Sequence, residues 1–184
     1  MPQSLAQIYV HIVFSTKNRR PWLHSDDLRD QLYAYMATIL RDNVDSPALI
    51  INGVEDHLHV LVRLSRRFAV MKIVQECKTE TSKWLKRQIP AGKEFAWQAG
   101  YGAFSVSASL VEDVRKYIQN QPQHHQRMTF QDEFRELCRR HGLEWDERYA
   151  WDEGRPVGTR RINVPEPRAA TRLVRLALSR PGLR

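Results

Sequence analysis

Two apolar segments with only two residues between them, 48–54 and 57–64 on either side of Glu55 and Asp56, constrain this chain more than anything else in it. Strands joined this tightly pair antiparallel, because a parallel return needs a crossover of a dozen residues or more. Helical periodicity brackets the hairpin. Before it, Ser25 is placed to N-cap a helix running to about Asn43, with Asp26 and Asp27 in its first turn. Leu28, Leu32, Tyr35, Met36, Ile39 and Leu40 share one side of that helix. After it, a second helix is predicted over 70–88, apolar at Ile73, Val74, Cys77, Trp84 and Leu85 and basic at Lys72, Lys78, Lys83, Lys86 and Arg87.

The flanking segments complete the pattern. Over 7–16, Ile8, Val10, Ile12 and Phe14 alternate with Tyr9, His11 and Val13, which predicts a buried strand followed by a basic turn at 17–21. A Gly-containing loop at 91–102 leads to a short strand at 103–109. A helix then begins near Leu110 and passes through Tyr117, and another spans 130–141, ended by Gly142 at C′. Trp22 and Trp84 are expected in the core, and His11 and His24 in structural roles. The first six elements follow the split βαβ order. The fold class expected is therefore α+β: a ferredoxin-like (RRM-like) antiparallel sheet with helices on one face and the other open, plus C-terminal helices and a basic tail. That fold alone implies no function.

Charge is unevenly placed. Residues 155–184 hold 8 Arg and one acid, Glu166, whereas the other 154 residues hold 21 basic and 20 acidic side chains. The tail, marked by Pro156, Pro165 and Pro167 and carrying a weak amphipathic signal at 170–179, is expected to be flexible and to attract phosphate backbones without reading sequence. No apolar run nears the roughly 20 residues that span a bilayer, and the first residues lack the pattern of an export signal. A cytoplasmic protein with Cys77 and Cys138 as reduced thiols is expected.

Two residue groups invite chemistry. His57 and His59 are two apart on a strand, so both imidazoles leave the same face and can grip one divalent ion. Tyr117 and Gln121, four apart on a helix, share a face, and an amide oxygen suits a hard cation. Taken singly, each has a plain alternative: surface histidines and a half-buried tyrosine.

Together they resemble the single-tyrosine HUH transposases of small bacterial insertion sequences (the insertion sequence 200/605 type, transposase A). The residues carrying the resemblance are 9–19 (YVHIVFSTKNR), 53–60 (GVEDHLHV), 97–107 (WQAGYGAFSVS) and 117–125 (YIQNQPQHH). The resemblance implies that His57, His59 and Gln121 bind Mg²⁺ or Mn²⁺ and that Tyr117 is the nucleophile. It also implies a homodimer acting on single-stranded DNA with hairpin ends, in a bacterial cytoplasm and outside any membrane. On it, 1–152 form the transposase domain and 153–184 the Arg-rich tail. Lys17, Arg19 and Arg20 in the first loop and Lys78, Lys83 and Arg87 on the second helix are candidate DNA contacts, with Trp97 and Tyr101 available for stacking. His124 and His125 are expected as polar surface. The competing expectations are a non-catalytic or domesticated relative that binds hairpins or repeat palindromes, and a metal-dependent nuclease that activates water.

Overall fold

A computed structural model describes residues 5–144, all of them in the first of the chain's two units, Met1–Glu153. The proline-marked linker, the weak helix at 170–179 and the boundary at 152/153 lie outside the described residues. Four strands, β1 (Tyr9–Ser15), β2 (Ala48–Gly53), β3 (His57–Arg63) and β4 (Gly102–Val106), form one antiparallel sheet in the order β2-β3-β1-β4. The helices are α1 (Asp26–Asp42), α2 (Val70–Gln88), α3 (Val111–Gln119), α4 (Gln121–His124) and α5 (Phe130–Arg140). The α+β, ferredoxin-like class expected from the element order is what the chain adopts.

Local chemistry sets the element ends. The Ser25 hydroxyl accepts from the Leu28 amide at the start of α1, and Thr129 accepts from the Asp132 amide at the start of α5. Gly142, at φ +63°, closes α5 with the amide of Leu143 bonded to the Cys138 carbonyl and its own amide to that of Arg139, a Schellman arrangement. The predicted strand at 103–109 stops at Val106, and a short 3₁₀ turn at Ala108–Leu110 leads into α3. At the β2–β3 hairpin, a Cβ on Gly53 would lie 2.2 Å from the His57 carbonyl oxygen. Only glycine lets the two strands close that tightly, and the closure delivers His57 to its place.

The strands carry two different faces. Val10, Ile12 and Phe14 of β1 and Leu58, Val60 and Val62 of β3 meet Leu32, Met36 and Leu40 of α1 and Ile73, Val74, Cys77 and Leu85 of α2 in the main apolar core. Trp22 and Trp84 pack half-buried against that core, as expected of them. Trp97 does not face outward: it is buried against Phe14 and Phe95, and its indole N–H donates to Thr81 Oγ1 at 2.9 Å. It has no face left for a base. The second face is not open in this chain. Leu61 packs with Val111 and Ile118 of α3, and Val13 and Phe104 with Phe130, Leu137 and Cys138 of α5. Cys77 and Cys138 are both free thiols, buried on opposite faces. Among the described residues no helix is long and apolar enough to cross a membrane.

Candidate active site

The alternation of β3 sends His57 and His59 away from the apolar core into the space under α3, α4 and α5, where both are wholly buried. Each ring is oriented from behind. His57 Nδ1 lies 2.7 Å from Asp56 Oδ1, and His59 Nδ1 lies 3.0 Å from Nε2 of His11, itself buried on β1. A carboxylate only accepts, so His57 carries a proton on Nδ1 and turns its Nε2 inward. His11 thus has the structural role expected of it, as the support of His59. Burial, aided by the neighbouring His59, lowers the pKa of His11 well below the ordinary value; burial lowers that of His59 to about 4 against the opposing pull of Glu133. Both rings are neutral at pH 7.

Tyr117 lies on α3, half-buried, with its ring edge-on to His11, His59 and His124. Gln121 is not on the same helix. The helix ends at Gln119 and a new short turn starts at Gln121, because Pro122 has no N–H to return to the Ile118 carbonyl. Asn52 of β2 takes over: its Nδ2 donates to the carbonyl oxygens of Ile118 and Gln119, both at 3.0 Å. The break pins the end of α3 to the sheet beside His59, the register partner of Asn52. Gln121 is fully buried by it.

The group that draws these residues together was not anticipated. Glu133 of α5 is buried, and its Oε1 accepts from the Tyr117 hydroxyl and, at 2.8 Å, from Gln121 Nε2. Its Oε2 lies 3.0 Å from His125 Nε2, 3.2 Å from His59 Nε2 and 3.7 Å from His57 Nε2. Burial alone would raise the pKa of this carboxyl; the hydrogen bond from His125 and the close approach of His59 outweigh burial and hold it far below the usual range. Burial together with the Glu133 charge raises the pKa of the Tyr117 hydroxyl, which is therefore neutral at rest. His125, expected at the surface, has only 10% of its side chain exposed, and its Nε2 stands 2.9 Å from that of His57. Burial opposes its charge, but Glu133 raises its pKa overall. One signal of Glu133 is present in the sequence: it occupies the apolar stripe Phe130, Phe134, Leu137 of α5, where a charge needs a partner. His125 carries no such signal.

This donor set fits a divalent ion. Gln121 Oε1 is buried with no hydrogen-bond partner, and His59 Nε2, although near Glu133, has no aligned hydrogen bond. Buried polar atoms left unpaired are costly, and a cation would satisfy both. One ligand atom each from His57, His59, His125 and Glu133 lies within 4.8 Å of the others.

The basic candidates divide by location. Arg19 borders a cavity of about 700 Å³ that is also lined by Arg29, Asp56, His57, His125 and Arg127. Asn18 and Arg19 both have positive φ, 56° and 52°, a conformation that is uncommon for non-glycine residues and a mark of functional loops. Lys17 is exposed in the same loop, while Arg20 pairs with Glu94 at 3.2 Å and stacks on Trp22. Lys78, Lys83 and Arg87 ride on α2, across the sheet from the histidines. Lys78 donates to the carbonyl oxygens of Gln98 and Gly100 at 2.8 and 2.6 Å and lies over the rings of Phe14 and Tyr101. Lys83 pairs with Glu80. The structure therefore gathers Tyr117, His57, His59, Gln121 and the Arg19 loop on one side and leaves the α2 cations on the other.

A family model described as "Transposase IS200 like" matches residues 4–121. No curated protein matches the chain. Among solved structures, one from Deinococcus radiodurans, assigned as a transposase, superposes with a TM-score of 0.52 at 18% identity, covering 66% of this chain and 95% of that one. A REP-associated tyrosine transposase bound to a REP hairpin covers 66% of this chain and 68% of its own at 12% identity, with a TM-score of 0.46. At 18% identity the likeness to the first of these is one of fold.

Proposed function

The chain belongs to the IS200-like transposase family, and from that premise we propose that it cleaves and rejoins single-stranded DNA through a covalent 5′-phosphotyrosine on Tyr117. The observation that carries the proposal is the convergence of the Tyr117 hydroxyl, Gln121 and the buried pair His57 and His59 on one carboxylate, Glu133. A divalent ion held by His57, His59 and Gln121 would polarise the scissile phosphate and offset the charge that develops on it.

The residues of the chain supply the rest. Tyr117 Oη attacks phosphorus in line, the Oη–P bond forms, and the bond to the 3′ oxygen breaks to release a 3′-hydroxyl. The tyrosine proton leaves along its hydrogen bond to Glu133 Oε1 and is passed on to the departing 3′ oxygen, so Glu133 ends the step as the carboxylate it began as. Because the phosphodiester energy is kept in the phosphotyrosine, a second 3′-hydroxyl can attack it and rejoin the strand without a nucleotide cofactor. Arg19 and Arg127 line the cavity beside His57 and would hold the phosphates that flank the scissile one. The hairpin-ended substrate, the homodimer, the 1–152 domain with its 153–184 tail on the DNA backbone, and a bacterial cytoplasmic setting belong to the same proposal.

The test is a denaturing-gel adduct assay with single-stranded DNA from the ends of the chain's own genomic element and Mn²⁺ or Mg²⁺. Wild type should become covalently joined to DNA, and Tyr117→Phe should lose the adduct by about a thousandfold or more. Cleavage that persists in Tyr117→Phe without an adduct would instead establish a water-activating nuclease.

A further inference from the structure

We propose that His125 and Glu133 complete, with His57 and His59, a four-ligand centre of three imidazole nitrogens and one carboxylate oxygen, which selects a late first-row ion of the zinc or cobalt class over Mg²⁺. The inference rests on the metal-dependent reading above and departs from it in the ligand set: His125 and Glu133 take the place given there to Gln121, and the scissile phosphate would join the ion as an added ligand.

The argument starts from what stands behind each ring. His57 gives its Nδ1 proton to Asp56, and His125 gives its own to the Met128 carbonyl at 2.9 Å, an atom that can only accept. Both rings therefore turn Nε2 into the same space, where those two atoms stand 2.9 Å apart and His125 Nε2 lies 3.0 Å from Glu133 Oε2. His59 adds a third inward Nε2, braced through Nδ1 by His11. Metal-binding histidines are held in this way, with the far nitrogen engaged by a carboxylate, a carbonyl or another fixed partner.

Glu133 Oε2 supplies the fourth donor, 3.0–3.7 Å from the three nitrogens. Four ligands at about 2.0–2.1 Å around a tetrahedral ion lie roughly 3.3 Å apart, and these spacings bracket that value. The other oxygen of Glu133 stays on Tyr117 and Gln121, so one carboxylate ties the centre to the nucleophile. The chemistry of the set decides the ion: Mg²⁺ prefers oxygen and keeps its waters, whereas three imidazoles favour zinc, cobalt and their neighbours. The cavity beside His57 and His125 gives an ion a way in.

The experiment uses the full chain, stripped with chelator and titrated with Co²⁺ while visible absorption is followed. One Co²⁺ per chain should bind with the strong d–d bands of a four-coordinate site and should survive a large molar excess of Mg²⁺. His125→Gln and Glu133→Gln should each weaken Co²⁺ at least tenfold, with melting curves in chelator confirming that both variants fold. X-ray absorption of the wild-type Co²⁺ form, which needs no variant, should count three imidazoles. Two imidazoles, displacement by equimolar Mg²⁺, or unchanged affinity in both folded variants would overturn the centre. A Tyr117-dependent DNA adduct found alongside any of those results would leave the transposase reading intact. No adduct from wild type, with the Co²⁺ spectrum as expected, would sink that reading and keep the centre.

Discussion

One strand separates two kinds of interior. Leu58, Val60 and Val62 of β3 face α1 and α2 in a core built almost wholly of apolar side chains, with Thr81 and the Tyr33 hydroxyl as its buried polar groups, while His57 and His59, one residue out of phase, face α3 to α5 at the same depth. The first face is stabilised by removing apolar surface from water, roughly 25 cal/mol per Å². The second buries three unpaired polar atoms, on His59, Gln121 and His124, and a carboxylate among histidines. The difference teaches where this molecule keeps its fold and where it keeps its chemistry: the cost of the polar face is tolerated because the apolar face holds the sheet.

The largest way to break that division is to cut into the first face. Leu58 is fully buried and packs only on the apolar side. Leu58→Ala should cost about 2–5 kcal/mol through lost transfer energy and the cavity left behind, measured as a lower urea midpoint at unchanged slope. A loss below about 1 kcal/mol would mean that the α1–α2 face is not the one that holds the fold.

The two faces were also unequally legible. The apolar face is written in the alternation of Val10, Ile12 and Phe14 and in the helical spacing of Leu32, Met36 and Leu40, and the Ser25 cap and the Gly142 stop are local signals that need no tertiary context. His57, His59, Tyr117 and Gln121 could be picked out because the order of several motifs resembles a family. What escaped depends on contacts distant in sequence. The break at Asn120 follows from Pro122 but becomes useful only because Asn52 caps it across the sheet. His125 is polar and sits in a turn, and only the arrival of α5 buries it. Trp97 looked free to stack because its partners, Phe14 and Thr81, lie on other elements.

A smaller effect sharpens the comparison through pH. In chelator-treated protein, unfolded histidines take up protons near pH 6.5, whereas folded His59 resists until about pH 4 and folded His11 is lowered in the same direction. Between those values the unfolded chain binds more protons, so stability falls as pH falls. His125, raised by Glu133 against its burial, works the other way: its contribution is present below 6.5 and is lost as pH rises through its folded value. Two groups oppose one, and Glu133, held low, adds a further loss below its ordinary range of about 4.5. The melting temperature should therefore be several degrees lower at pH 5 than at pH 7.5. A flat profile would mean that the histidines are not kept neutral by burial.

The smallest expected effect is the most discriminating, and it comes from a double substitution. His59→Leu alone leaves His11 Nε2 buried without its partner, which should cost about 1–3 kcal/mol in the metal-free chain. Replacing both rings, His11→Leu with His59→Leu, removes donor and acceptor together and puts apolar groups of similar size in their place. Glu133 keeps Tyr117, Gln121 and His125 as partners. The double variant should then lie within about 1 kcal/mol of wild type, although the single variant does not. Such strong non-additivity would mean that the histidine pair is held for what it binds and contributes little to folding. If the double variant instead lost the sum of the two single losses, the polar face would hold the fold as firmly as the apolar one does, and the division between the faces would fail at the strand that defines it.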